Sequence, residues 1–507
     1  MKTFTCNELI QALSGEAAAE GEILLPDYCP TVMKVVGVTA TPFLRSQTVR
    51  GDRLYADGNV EFRIVYISDA AEGLQTVSHR LPFSYSAQVG ASEENVFATV
   101  SASVEYRSAR ALSPQKLYAK AAVVISSSVY APVATELPDD ETKSRAELLK
   151  TSVDVTDVVA SSTRTLRLTE DIDAGDAKVD KMLRFDVEFF ETEQKPVNKK
   201  LIVKADMRLC LTYADESGSV GTFETKIPVS QLLDLPGFDE NSECLTRFDL
   251  SDITVSTRRT EKENVLSLDA EVNITAECFK NEKIELVRDA FSLTENAECV
   301  TKPVNLQSVH KVNDTVEFKN DVELSDFAEL VDAAVRPSVM SVSYDAERGG
   351  AASEGVFGCD IIYKNTDGEI CSVEKAVPFS IFTPLEIAPT SMKSNCRLVI
   401  TSITKTPTAT GIELRISALH VGSVITVSTQ TAVTDITFTP CEKKKRGELV
   451  SYMAEEGDSL WEIAKKFRVP PKKLAEINGI DGDAVEQRRN DSHILAHRGY
   501  IGWHHVR

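Results

Sequence analysis

Seven histidines, ten cysteines and a surplus of carboxylates are the side chains here that could do chemistry, and their spacing limits what each can do. His493, His497, His504 and His505 crowd the C-terminal end, where an i, i+4 pair could set two imidazoles on one helix face. No cysteine or carboxylate framework accompanies them, so no metal site is expected. His79 and His310 stand in polar stretches, and His420 continues an alternating apolar run. The cysteines fall at 6, 29, 210, 244, 278, 299, 359, 371, 396 and 441 without a C-x-x-C pair. Several of them sit within alternating apolar runs, which reads as buried free thiols in a reducing compartment rather than a disulfide framework. Adjacent acids such as Glu93-Glu94, Asp139-Asp140 and Glu455-Glu456 read as solvated faces or turns, and no two carboxylates are singled out as glycoside hydrolysis requires. Nucleophile-elbow, P-loop, zincin and dinucleotide-binding spacings are absent. The expectation is a non-enzymatic protein with no catalytic residue, no metal and no cofactor.

The elements around these residues are those of a large, acidic, mostly β chain. Its 507 residues exceed what one hydrophobic core holds and point to three or four domains. A net charge of -21 repels phosphates and anionic membrane surfaces, so no nucleic acid partner is expected. Residues 443–507 carry 13 Lys+Arg against 10 Asp+Glu, a net of +3, which leaves -24 on residues 1–442 and marks the C-terminus as a separate unit. No apolar signal region opens the chain and no apolar run is long enough for an integral membrane segment, so a cytoplasmic protein is expected.

A pattern then repeats with a period near 150 residues. Val60, Phe62, Ile64 and Tyr66 alternate before a polar turn and a Leu81-Pro82-Phe83-Ser84 corner. Val203, Ala205, Met207, Leu209, Leu211 and Tyr213 do the same before Ile227-Pro228-Val229-Ser230, and Phe357, Cys359, Ile361 and Tyr363 before Val377-Pro378-Phe379-Ser380. The three tyrosines lie 147 and 150 residues apart. Each copy is a hairpin followed by a second long alternating run, at residues 117–125, 266–278 and 412–418. Strands with one apolar face must bury it against another sheet, so each copy predicts a separate β-sandwich of six to eight strands. The copies are placed at 21–142, 152–295 and 300–439. Helices are expected at 7–13, within an N-terminal helical segment 1–20 where Thr5 and Glu8 could form a capping box, and near 144–150.

After a polar linker at 440–448, residues 449–480 read as strand, tight turn, helix, helix. Ser459 and Glu462 make a capping box, and Leu460, Ile463, Ala464 and Phe467 form one apolar stripe. Pro471 opens a second helix that Asn478-Gly479 ends. Tyr452, Gly457-Asp458-Ser459-Leu460-Trp461, Ile463-Ala464, Phe467, Leu474 and Asn478 together resemble the LysM domain. That resemblance implies a βααβ module at 449–497 that binds polymers of N-acetylglucosamine such as peptidoglycan. It implies a groove between Gly457, Asp458, Ser459 and Leu460 on one side and Asn478, Gly479 and Ile480 on the other. By the same pattern Leu460 is a core residue and Asn478-Gly479 a helix cap. The usual closing strand of the family is missing after Gly482; only 494–496 could replace it, and the stretch from 486, with the tail 498–507, reads as an altered ending.

Three such repeats ahead of a LysM module resemble the SPOCS-domain proteins of endospore-forming bacteria, of the SipL type. Leu24-Leu25-Pro26, the three tyrosine strands and the Pro-Phe-Ser corners carry the likeness. It implies a morphogenetic scaffold of the mother-cell cytoplasm at the forespore surface. Its LysM module would then take the coat basement-layer ATPase or other coat proteins as partners. The alternative is a cell-wall protein that holds peptidoglycan glycan. The fold class expected is mainly β: three tandem β-sandwich-like repeats and a small α+β domain.

Overall fold

A computed structural model describes residues 2–71, 73–90, 96–138, 142, 144–239, 241–259, 264–385, 388–441, 449–453, 458–479 and 493–497. The first sandwich is built from β1 (Lys2–Leu24), β2 (Lys34–Arg50), β3 (Arg53–Ile67), β4 (Leu74–Gln88), β5 (Phe97–Ser113) and β6 (Lys116–Leu137). They form two antiparallel sheets, a long one in the order β1-β6-β5 and a short one in the order β2-β3-β4. The alternation seen in sequence is the reason. Leu117, Ala119, Ala121, Val123 and Ile125 of β6 are wholly buried, and they face Val60, Phe62, Ile64 and Tyr66 of β3, also wholly buried. Each large side chain so placed contributes roughly 1.5–3 kcal/mol. Gly58 is required where it stands, since a Cβ there would meet the Phe43 carbonyl oxygen and the Phe83 ring.

The second sandwich repeats this plan with β7 (Glu147–Asp173), β8 (Lys181–Val197), β9 (Lys200–Ala214), β10 (Val220–Asp234), β11 (Glu243–Arg259) and β12 (Asn264–Phe291). Its sheets are ordered β11-β12-β7 and β10-β9-β8. The third uses β13 (Glu295–Glu323), β14 (Phe327–Asp345), β15 (Gly350–Asn365), β16 (Ile370–Pro384), β17 (Ser391–Ser394), β18 (Arg397–Thr408) and β19 (Gly411–Pro440). There β19 is flanked by β13 on one side and by β17 and β18 on the other, over the sheet β14-β15-β16. Equivalent tyrosines do equivalent work: Tyr66 donates to the Pro30 carbonyl at 2.9 Å and Tyr363 to the Ser325 carbonyl at 3.1 Å.

The long strands outrun their own sandwiches, and their far halves meet. Phe4 and Leu137 of the first unit pack with Val153, Val155, Ile284 and Leu286 of the second and Val304, Leu306 and Ala432 of the third. Further along the same strands Leu9, Leu245, Phe279, Val309 and Ile425 make a second three-way contact. The short sheets meet in a third, through Val36, Val65 and Leu74, Leu183 and Ala214, and Ile362. Ion pairs link each unit to the other two. Arg80 reaches Asp252 at 2.6 Å, Arg184 reaches Asp332 at 2.7 Å, and Arg107 pairs with Asp360. The three sandwiches are therefore one body in which each touches the other two, rather than the separate units expected from the sequence.

Three further expectations are corrected. Residues 7–13 are not helical, and the segment 1–20 is not a helical one, because β1 runs from Lys2 to Leu24 in register with β6. A local capping box is weaker than a ladder that satisfies every backbone group along β6's open edge. Where a helix near 144–150 was expected, Thr142 and Ser144 are helical but β7 begins at Glu147. The cysteines are not all free: Cys244 and Cys278 stand opposite one another on β11 and β12 and form a disulfide. The other eight are free thiols, Cys6 and Cys359 buried among them. His420 is a core residue, wholly buried on β19 with neither ring nitrogen hydrogen-bonded among the described residues.

Candidate functional site

The C-terminal module has β20 (Leu449–Met453), α1 (Leu460–Phe467), α2 (Pro471–Asn478) and β21 (His493–His497). Antiparallel pairing of β20 with β21, Tyr452 opposite Ile494, supplies the closing strand that the sequence left in question. The capping box forms as read: Ser459 Oγ accepts from the Glu462 N–H at 3.1 Å, and the Glu462 carboxylate accepts from the Ser459 N–H. Leu460, Ile463 and Ala464 are buried with Leu474, and the Tyr452 ring meets Phe467 edge-on at 5.5 Å.

Asp458, Ser459 and Leu460 on one side of the expected groove, and Asn478 and Gly479 on the other, take mostly structural parts. The Tyr452 hydroxyl donates to Asp458 at 2.8 Å, and this bond raises the tyrosine's pKa. Ser459 caps α1, and Leu460 is a core residue. Asn478 Nδ2 donates back to the Leu474 carbonyl at 2.8 Å, and Gly479 closes α2 in the left-handed region with φ 63. Gly457 and Ile480, named for the same groove, lie outside the described residues. Gly479 is exposed and Asp458 half-buried at the two helix ends.

Sequence reasoning missed how the module is seated. Trp461 lies one residue off the inward stripe of α1 and packs on β12, its ring edge-on to Phe291 at 5.0 Å. Its Nε1 donates to Asp289 at 2.8 Å, and Lys465 donates to both oxygens of the same carboxylate at 2.7 and 2.6 Å. Burial opposes ionisation of Asp289, but these donors outweigh it and its pKa is lowered. Arg468 adds bonds to Asn296 and to Cys441 Sγ. An aromatic residue beside, rather than within, the apolar stripe was the available signal.

Among the described residues no group of three or more His, Cys, Asp or Glu is placed to hold a metal, and no helix is long and apolar enough to cross a membrane. His504 and His505 lie outside the described residues.

Comparison with known families agrees with this geometry. The SipL, SPOCS domain model matches residues 31–112 and 178–258, which cover β2 to β5 and most of β8 to β11. The LysM domain model matches residues 452–486. No curated protein and no solved structure matches the chain. SPOCS and LysM are non-catalytic domain families and fit a sporulation-related protein with a module of the peptidoglycan-binding kind. The chain carries SPOCS domains of the SipL type in its β-sandwich body and a LysM domain at its C-terminal end.

Proposed function

We propose that this protein is a non-enzymatic morphogenetic scaffold of the spore envelope, acting from the mother-cell cytoplasm at the forespore surface. The observation that carries the reading is the seating of the LysM module. The faces of α1 that carry Trp461 and Lys465 are spent on the second sandwich, so the module is held in one orientation on the body. A fixed presentation lowers the ordering cost of binding, and a body with several faces allows weak contacts to add. The partner proposed for the LysM module is a coat protein, the basement-layer ATPase first among them. The peptidoglycan reading is kept alive by the LysM match itself.

The experiment is a paired retention assay with the full chain immobilised. Sporulating-cell lysate and purified, insoluble peptidoglycan are offered separately, with an N478A/D458A variant beside the unaltered chain. Retention of a coat ATPase, lost in the variant, supports the scaffold. Retention of peptidoglycan alone, also lost in the variant, replaces it with the wall-binding reading.

A further inference from the structure

Between the second three-way apolar contact and the sandwich cores, the long strands leave a cavity of about 900 Å³. All three units line it, among them Ser101 and Glu105 of β5, Arg247 and Glu277 of the second unit, and Lys311 and Arg397 of the third. Its size is that of a small-molecule site, at the upper end of the roughly 300–1,000 Å³ usual for such pockets.

Three cations stand in the wall, and two are satisfied by the protein. Arg247 pairs with Asp249 at 2.6 Å and donates to the Val100 carbonyl at 2.6 Å, while Lys311 donates to the Cys244 carbonyl at 3.0 Å. Arg397 makes no hydrogen bond or ion pair among the described residues, although it opens β18 at the cavity wall. It occupies the position in its unit that Arg247 holds in the second, each one residue before the partner of Ile274 or His420. Burial lowers its pKa, with Asp249 opposing and Arg247 adding to that effect, yet a guanidinium stays charged in proteins. Glu188 is near enough to act on it electrostatically but makes no hydrogen bond to it. The five N–H donors of Arg397 line the cavity without meeting a protein acceptor at hydrogen-bond distance among the described residues, which leaves them for a ligand to fill.

A planar anion with two oxygens fits that fork. The acids of the same wall, Glu16, Glu105, Glu191, Asp249 and Glu277, disfavour a multiply charged phosphate and suit a ligand whose other end is positive. We infer that the inter-sandwich cavity is a binding site for a small zwitterionic peptide, whose terminal carboxylate is held by Arg397. The site is made only when all three repeats close on one another, and it is independent of what the LysM module binds.

The test uses the full chain, a tripeptide library with free carboxyl ends and the same library amidated. After incubation and gel filtration, retained peptides are counted by mass spectrometry. Free-carboxyl peptides should be retained at least tenfold over amidated ones, and Arg397→Gln should abolish the difference. Because the substitution removes an unpaired cation, its urea midpoint should hold or rise, which separates loss of binding from loss of fold. Equal retention of the two libraries, retention of neither, or a preference unchanged in Arg397→Gln would overturn the inference.

Discussion

Arg184 of the second sandwich donates from Nη1 to Asp332 of the third at 2.7 Å, with only 9% and 10% of the two side chains exposed. The pair is one of those that turn three tandem repeats into one body. Removing one partner of a buried pair typically costs about 3–5 kcal/mol, and Arg184 keeps Asp186 at 3.0 Å when Asp332 is lost, which puts the cost at the low end. Asp332→Ala should therefore lower the urea midpoint by an amount equal to about 3 kcal/mol. The double replacement Arg184→Met with Asp332→Leu should recover most of it. An unchanged midpoint in the single variant would mean the units do not depend on this contact.

Trp461 and Asp289 hold the LysM module to β12. Truncating a buried tryptophan costs about 3–5 kcal/mol, so Trp461→Ala should release α1 from the body and speed its amide exchange by a hundredfold or more. Asp289 has a lowered pKa, so its contribution is present at neutral pH, persists down through the ordinary aspartate value near 3.9, and is lost below it. Asp289→Asn should show the same faster exchange at pH 7. An α1 exchange rate that ignores both substitutions would refute the docking.

Glu188 behaves in the opposite sense. Burial outweighs the attraction of Arg397 and pushes its carboxyl up to about 7. An acid whose pKa is raised on folding costs stability as pH rises from the unfolded value, about 4.3, to the folded one. Glu188→Gln should thus stabilise the protein at pH 8, on the order of 2 kcal/mol, and change little at pH 4. Denaturation midpoints across that range check it, and a gain that is equal at both ends would contradict it.

The Cys244–Cys278 bond closes a 34-residue separation between neighbouring strands. A loop of that length is worth about 3–4 kcal/mol in the chain-entropy account. Alkylating the unfolded protein should label eight thiols without reductant and ten with it. The Cys244→Ala/Cys278→Ala variant should melt lower. Ten labelled thiols without reductant would show the pair unbonded.

The strands were legible because a buried face writes itself as alternation: Leu266 to Cys278 could be nothing but a long half-buried strand. The LysM helices were legible through Ser459, Glu462 and Gly479, whose caps are local. Closure of the three repeats was not. It rests on Arg80, Arg107, Arg184, Asp332 and Asp360, which occupy positions that look solvent-facing in sequence and find partners 148 to 253 residues away in the pairs Arg184–Asp332 and Arg107–Asp360. The N-terminal helix failed for a related reason. Thr5 and Glu8 obey a local rule, while the ladder from β6 that overrides it comes from residues more than a hundred positions on.

The most direct measurement of the central claim is imaging of the full chain, fused to a fluorescent protein, in cells that are sporulating. A scaffold of the spore envelope should form rings around forespores, and the Trp461→Ala fusion should form them poorly. A diffuse signal throughout the mother cell, unchanged as forespores mature, would contradict the account.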